Sequence, residues 1–171
     1  GFSEQVLLRL ASADGVDTWA PVAQGHSNGA GLVHLLAMES DRFAAVAASS
    51  SPLSSDRLPT EGDSQTSVMQ LQGTADSSIP YGGGSDPGGV IEFLGAEESA
   101  AVWAAHNGCG AVPSTHSLDT RSTVLTWSAC TRDIEVVHVR VDGGLHDLPD
   151  DIGGDTQAFI WRFLSAQRVE R

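Results

Sequence analysis

Apolar residues recur along the chain in blocks that alternate between helical and strand-like spacing. Helical spacing starts at Val6, Leu7 and Leu8, and Gly15 is a plausible stop for that helix. The pattern predicts further helices over 32–38, 97–106 and 156–166, and strands over 19–23, 43–48, 68–71, 122–127 and 134–141. Residues 49–64, 73–87 and 143–154 are rich in Gly, Ser, Pro and Asp and are predicted to be loops.

This alternation of strands and helices predicts one α/β domain over residues 1–171, with a mainly parallel sheet flanked by helices. Two features modify the prediction. The strands 122–127 and 134–141 follow each other without a helix, which allows a local antiparallel pair. Pro21 cannot donate to a sheet ladder, so the strand 19–23 is expected at an edge, or to begin at Pro21.

Composition agrees with a single globular domain. The chain has 171 residues, of which 40% are hydrophobic, and its mean hydropathy is −0.08. No run of 18 apolar residues occurs, and no charged start precedes an apolar stretch. We therefore expect neither a membrane-spanning helix nor a signal peptide within these residues.

Charge narrows the range of partners. Nine basic residues, all arginine, stand against 22 acidic residues, which gives a net charge of −13. Such a surface repels phosphate backbones and anionic lipids. Nucleic-acid binding and membrane-surface binding are therefore not expected.

The two cysteines, Cys109 and Cys130, leave two interpretations open. They could form one disulfide that closes a loop of about 20 residues, which would stabilise the fold by roughly 3 kcal/mol and would require an oxidising compartment. They could equally be two separate buried thiols. Their spacing does not decide between these interpretations.

The first candidate for chemistry is Ser27 in the sequence Gly-His-Ser-Asn-Gly at 25–29. This sequence fits the G-x-S-x-G nucleophile elbow, in which a serine sits on a sharp, strained turn between a strand and a helix. Glycine on either side removes Cβ atoms that would clash in such a turn. A strand-like run precedes the motif and a helix-like run follows it. The alternative is a glycine-rich turn without chemistry.

Two further candidates also follow predicted strands. Asp76 comes after strand 68–71, where an acid could orient a histidine, although Asx turns are common in such loops. His146 comes after strand 134–141 and could serve as the base, or could be an exposed loop histidine. His26 neighbours Ser27, but adjacent side chains on an elbow point apart.

The order Ser27, Asp76, His146 is the order of an α/β-hydrolase triad. Other site types find less support. The six histidines and two cysteines lack zinc-binding spacing, and the glycine-rich stretch 82–89 lacks a nucleotide-binding pattern. We therefore expect a serine hydrolase that needs no metal or organic cofactor.

These motifs resemble the secreted polyhydroxybutyrate depolymerase and feruloyl esterase family of α/β hydrolases, including its acetyl-xylan-esterase-like members. The matching stretches cover nearly the whole chain: 25–30, 41–47, 73–76, 79–81, 107–109, Cys130, 143–146 and 160–163. The resemblance implies Ser27 as nucleophile, Asp76 as orienting acid and His146 as base. It also implies that Asn28 N–H is an oxyanion-hole donor, that Cys109 and Cys130 form a disulfide, and that the protein is secreted or periplasmic.

The family also has strands and helices that would precede Phe2, including the loop that gives a second oxyanion donor. We therefore expect an N-terminally truncated version of the fold. Loss of one such donor costs about 2.7–4 kcal/mol of transition-state stabilisation, so a slow esterase is expected. Truncation would also expose the strand near Trp19 to Ala23 as a sheet edge. Either these residues are one piece of a longer protein, or chains pair along this edge as a homo-oligomer.

Two alternatives to the esterase remain. The chain could be a truncated, non-catalytic remnant of an α/β hydrolase that acts as a binding or assembly module. A flavodoxin-like binding fold that matches the motifs by chance is the weaker alternative. For the esterase, the substrate could be small or polymeric: polyester, feruloyl or acetyl sugar esters and short-chain esters all fit the motifs.

Overall fold

The computed structural model describes residues 2–13 and 20–167 as an α/β fold, in which a six-stranded mixed sheet packs against helices. The helices are α1 (Phe2–Leu10), α2 (Asn28–Glu39), α3 (Ala96–His106) and α4 (Thr156–Ala166), with a short 3₁₀ turn at Ile152–Gly154. The strands are β1 (Val22–His26), β2 (Ala45–Ser49), β3 (Ser67–Gly73), β4 (Gly84–Ser85), β5 (Glu92–Phe93), β6 (Ser114–Ser117), β7 (Ser122–Trp127) and β8 (Val136–Val141).

The sheet order is β1-β2-β3-β8-β7-β6. The first four strands run parallel, whereas β7 pairs antiparallel with β8 and β6 pairs antiparallel with β7. The expected antiparallel excursion is therefore confirmed. The prediction of a mainly parallel sheet holds only in a coarser form, because β6 and β7 make the sheet mixed.

Helices cover both faces of the sheet, and this explains the unbroken apolar runs of its central strands. Every residue of β2 and β3 is buried. Alternate β2 side chains enter two cores. Val46 and Ala48 join the core that contains Trp103 of α3 and parts of α2, while Ala45 and Ala47 join the core that contains Phe163 of α4.

Two local predictions need correction. The first strand spans Val22–His26 rather than 19–23, and Pro21 precedes it. Pro21 has no N–H to offer a ladder, so the strand begins after it. For the helix predicted over 97–106, the apolar spacing predicts a packing face of Ala101, Val102 and Ala105, but Ala101 and Ala105 are exposed and Val102 is only partly buried. The buried residues of α3 are instead Ala96, Ser99, Ala100, Trp103 and Ala104.

The first strand lies at the edge of the sheet, as expected, and pairs with β2 on one side. Trp19 and the expected helix stop at Gly15 lie outside the described residues. Pairing of two chains along this edge stays a prediction.

The predicted disulfide is present. Cys109, just after α3, is bonded to Cys130 in the loop between β7 and β8. The interpretation as two separate thiols is therefore wrong. Within the described ranges, no helix is long and apolar enough to cross a membrane.

Candidate active site

The carboxyl ends of the four parallel strands meet at one edge of the sheet, and each is followed by a residue of the site. Ser27 follows β1, Ser50 follows β2, Asp76 lies in the loop after β3, and His146 lies in the loop after β8. The parallel register therefore brings together residues that are 119 and 70 positions apart in the chain.

Ser27 occupies a strained elbow. Its φ of 54° lies in the left-handed region that non-glycine residues rarely adopt, and its ψ is −120°. The backbone is held from both sides, because Ser27 N–H donates to the Ser49 carbonyl while the Ser27 carbonyl accepts from Ala30 N–H. The turn therefore projects the hydroxyl at the sheet edge.

Only one of the two elbow glycines is needed to avoid a clash. A Cβ atom on Gly25 would lie 2.1 Å from the Gly29 carbonyl oxygen, whereas a Cβ on Gly29 would meet nothing within 4 Å. The sequence argument that both glycines relieve a clash is therefore wrong for Gly29. Gly25 is required because β1 and the start of α2 approach each other closely.

The three predicted catalytic side chains form one hydrogen-bonded chain. His146 Nε2 lies 2.9 Å from Ser27 Oγ, and His146 Nδ1 lies 2.9 Å from Asp76 Oδ2. The Asp76 side chain is fully buried, whereas that of His146 is 24% exposed. The order and spacing of hydroxyl, imidazole and carboxylate are those of a Ser-His-Asp triad.

The Asp76 carboxylate accepts four hydrogen bonds, which fix its orientation. Oδ1 accepts from the backbone N–H groups of Ser78 and Ile79 at 2.8 and 2.9 Å. Oδ2 accepts from His146 and also from Gln72 Nε2 at 2.8 Å. The Asx-turn interpretation of Asp76 is thus correct for Oδ1, while Oδ2 remains directed at the histidine.

Two side chains that the sequence argument did not single out support this arrangement. Gln72 is buried on β3 and donates to Asp76 and to the Ile79 carbonyl. Ser50 is buried and donates to the His146 backbone carbonyl at 2.6 Å. Polar residues within or just after an otherwise apolar buried strand were the available signal for both.

Backbone contacts also join the acid loop to the histidine loop. Thr74 N–H donates to the Val141 carbonyl, Ala75 N–H donates to the Gly144 carbonyl, and Gly143 N–H donates to Thr74 Oγ1, each at 2.9 Å. A Cβ atom on Gly73 would lie 2.2 Å from the Gly144 carbonyl oxygen, so glycine is required there. Asp76 and His146 are therefore positioned by one connected pair of loops.

Asn28, the predicted oxyanion donor, is the first residue of α2. The first N–H groups of a helix have no carbonyl partner within it and carry the positive end of its dipole. The amide of Asn28 directly follows the nucleophile, which is the position of the elbow's own oxyanion donor.

Three other histidines do not compete for the role of base. His26 turns toward Asp147, with Nε2 and Oδ1 3.6 Å apart, and its ring centroid lies 5.1 Å from that of His146. His34 and His138 are buried, and burial lowers their pKa values to about 4 and about 3. Over residues 2–13 and 20–167, no cluster of three or more His, Cys, Asp or Glu side chains is arranged to hold a metal ion.

The chain matches no known family model and no curated protein.

Proposed function

We propose that this protein is a serine esterase of the α/β-hydrolase type, which cleaves carboxylic esters through an acyl-enzyme on Ser27. One observation carries the proposal: Ser27 Oγ, both ring nitrogens of His146 and Asp76 Oδ2 form a continuous chain with two contacts of 2.9 Å. The left-handed backbone at Ser27 adds support, because backbone strain of this kind concentrates at functional residues.

The reaction begins with proton transfer from Ser27 Oγ to His146 Nε2, as Oγ attacks the ester carbonyl carbon. The carbonyl oxygen becomes an oxyanion that accepts a hydrogen bond from Asn28 N–H. His146 then gives the proton to the departing alcohol oxygen, which leaves an acyl group on Ser27. Water, activated by the same histidine, attacks the acyl carbon and releases the acid.

Asp76 keeps the proton of the neutral ring on Nδ1, so that Nε2 presents a lone pair to Ser27. Its negative charge also stabilises the imidazolium that forms during each proton transfer. The fully buried side chain makes this interaction strong, because little solvent screens it.

The resemblance to the polyhydroxybutyrate depolymerase and feruloyl esterase family belongs to this proposal. The parallel order β1-β2-β3-β8 around the site supports it. The Cys109–Cys130 disulfide supports a secreted or periplasmic location, because disulfides persist in oxidising compartments.

The test compares the wild-type protein with Ser27→Ala and Ser77→Ala. Ser77 is an exposed serine beside Asp76 and serves as the matched control. We expect Ser27→Ala to lower p-nitrophenyl acetate hydrolysis by at least about a thousandfold, while Ser77→Ala retains it. A fluorophosphonate should add mass at Ser27 in the wild type and in Ser77→Ala only.

Hydrolysis that persists in Ser27→Ala would refute the assignment of the nucleophile. Absence of labelling under conditions that label a control esterase would favour the alternative, a non-catalytic binding or assembly module.

A further inference from the structure

A groove of about 420 Å³ lies beside the nucleophile elbow. Its wall is largely apolar and includes Leu32, Leu35, Leu53, Ile91 and Phe93, and Asn28 also lines it. The volume is within the range of sites for small molecules, about 300–1,000 Å³. Asn28, the residue after Ser27, lines the groove, whereas Ser27 and His146 do not.

Helix α2 supplies one side of the groove. Asn28, Leu32 and Leu35 are spaced by four and three residues, so they lie along one face of the helix. Leu32 and Leu35 are 54% and 38% exposed, whereas Ala30, Val33 and Ala37 on the other side are buried in the core. The helix that offers the oxyanion donor therefore carries an apolar surface away from the core.

The groove offers no free positive charge to a ligand. His34 reaches it, but its Nδ1 accepts from Trp103 Nε1 at 3.1 Å and its Nε2 donates to the Ser51 carbonyl at 3.2 Å. Such a ring is neutral, and burial lowers its pKa to about 4. Arg57 also lines the groove, but both of its terminal nitrogens bind the Asp63 carboxylate, at 3.1 and 2.9 Å.

The remaining charge on the groove wall is the acidic Asp56. An acyl chain that ends in a carboxylate would be repelled there, whereas an uncharged apolar chain would bury its surface against leucine, isoleucine and phenylalanine.

The stereochemistry of the reaction indicates which part of an ester the groove would hold. His146 must protonate the leaving alcohol oxygen, so the alcohol lies on the His146 side of the acyl carbon. The carbonyl oxygen points to Asn28 N–H. Neither Ser27 nor His146 lines the groove, whereas Asn28 does, so a chain on the acyl carbon would enter the groove by passing Asn28.

We propose that this groove is the acyl-binding site and that it selects esters of uncharged apolar acids with chains of several carbons. This inference rests on the proposed esterase function and specifies its substrate. Acetyl esters would leave the groove empty and would react more slowly than octanoyl esters of the same alcohol.

Gly31 provides a direct way to block the groove. It lines the groove on α2, and a Cβ atom built there meets nothing within 4 Å. The Cβ of Gly31→Leu therefore meets open space, from which the side chain can extend into the groove, and leucine is a better helix former than glycine. Glu39→Leu is the matched control, because it adds the same side chain at an exposed position of the same helix outside the groove.

The measurement is kcat/KM for p-nitrophenyl octanoate, p-nitrophenyl acetate and the p-nitrophenyl monoester of octanedioic acid. In the wild type we expect octanoate to exceed each of the other two by at least tenfold. Gly31→Leu should lower the octanoate-to-acetate ratio by at least tenfold, while Glu39→Leu keeps it. The inference is overturned if the Gly31→Leu protein melts no lower than the wild type and its octanoate-to-acetate ratio of kcat/KM is unchanged. Leu32→Gln, at an exposed wall position, gives the same test if Gly31→Leu does not fold.

A binding measurement separates failure of this inference from failure of the esterase proposal. Saturation-transfer NMR should detect methyl octanoate on the Ser27→Ala variant, and the signal should be lost in Ser27→Ala/Gly31→Leu. If Ser27-dependent acetate hydrolysis occurs but methyl octanoate does not bind, the groove inference is wrong and the esterase stands. If methyl octanoate binds but no ester is hydrolysed, the groove holds apolar chains and the esterase proposal is wrong.

Discussion

Two histidines of this protein each contact a hydroxyl group, but they have very different surroundings. His146 lies in a loop at the rim of the sheet, with Ser27 on one ring nitrogen and the buried Asp76 on the other. His138 lies within the central strand β8 and is fully buried. Its Nε2 contacts the Tyr81 hydroxyl at 2.9 Å, and that hydroxyl donates to Glu97.

The difference lies in the position of the carboxylate. In the rim cluster the carboxylate binds the imidazole itself. In the buried cluster the carboxylate binds the tyrosine instead, and His138 Nδ1 has no hydrogen-bond partner among the described residues. Burial, and to a smaller extent the charge of Arg140, lower the pKa of His138 to about 3. The direct contact with a carboxylate therefore distinguishes His146, the proposed base, from His138.

Asp76→Asn should produce the largest effect, because it removes the carboxylate that contacts the His146 ring and leaves that ring, like the ring of His138, without one. The asparagine carbonyl can still accept from Ser78 and Ile79, which turns its NH₂ group toward His146 Nδ1. His146 Nδ1 must then accept a hydrogen bond from that NH₂ group, so the ring proton moves to Nε2. A protonated Nε2 cannot accept the proton of the Ser27 hydroxyl. We expect kcat on p-nitrophenyl esters to fall by about 10⁴-fold. A loss below about tenfold would show that Asp76 does not set the tautomer.

His138→Leu should change the acid stability of the protein without changing its chemistry. The folded-state pKa of about 3 lies below the usual value of 6.5, so the unfolded chain binds a proton that the native ring does not. The neutral native ring therefore costs stability as pH falls from 6.5 toward 3. Between pH 7 and pH 4 the wild type should lose about 3 kcal/mol more unfolding free energy than His138→Leu.

Urea unfolding at pH 7 and pH 4 measures this difference, since His34 and the acidic residues are common to both proteins. If the unfolding free energies of the two proteins depend on pH in the same way, His138 takes up a proton in the native state as readily as in the unfolded chain. Esterase activity of His138→Leu at pH 7 should stay within twofold of the wild type.

Gln72→Leu tests how far the proposed role of Asp76 depends on the hydrogen bond that its Oδ2 accepts from Gln72. The substitution removes the bond from Gln72 Nε2 to Asp76 Oδ2, and a hydrogen bond to a charged group contributes about 1.5–3 kcal/mol. We expect kcat to fall by about tenfold with little change in KM, because substrate does not contact this residue. Gln70→Leu, on the same strand but bonded to Ser99, is the control and should retain kcat. Equal kcat values in the two variants would assign Gln72 a purely structural role.

Ser50→Ala should have the smallest effect. The backbone of His138 is held by sheet ladders on both sides, whereas the His146 loop is anchored in part by the Ser50 hydroxyl. Loss of one such bond costs about 1 kcal/mol, so we expect a several-fold drop in kcat. The control is Ser67→Ala, which removes a buried hydroxyl at the start of β3, the end of that strand away from Asp76, and should retain kcat. Activity of Ser50→Ala equal to that of Ser67→Ala would contradict this role.

The sequence predicted best the elements in which apolar residues recur with a clear period and loop residues mark both ends. The strand Ser122–Trp127 and the helix Thr156–Ala166 have the predicted limits. Strand β6 was missed because all four of its residues, Ser114–Ser117, are polar and exposed, so no apolar alternation marks it. The packing face of α3 was misassigned because alanines occur all around that helix, and Trp103 rather than alanine spacing decides which side is buried.

The proximity of Ser27, Asp76 and His146 could be predicted because each residue follows a strand and stands within a recognisable local motif. The supporting residues could not be predicted in the same way. The bond from Gln72 to Asp76 depends on the turn after β3, and the bond from Ser50 to His146 joins residues 96 positions apart. Such contacts arise from the tertiary packing of two loops, which spacing along one chain does not encode.

The acid and histidine loops are fastened to each other, whereas the nucleophile reaches them from the outermost strand of the sheet. Edge strands detach at a lower free-energy cost than central ones. Mild denaturation would therefore separate the serine from an intact Asp76–His146 pair, and the proposed esterase activity would be lost while most of the protein is still folded. The lifetime of that activity would then be limited by the docking of β1 on β2 and less by the stability of the central sheet.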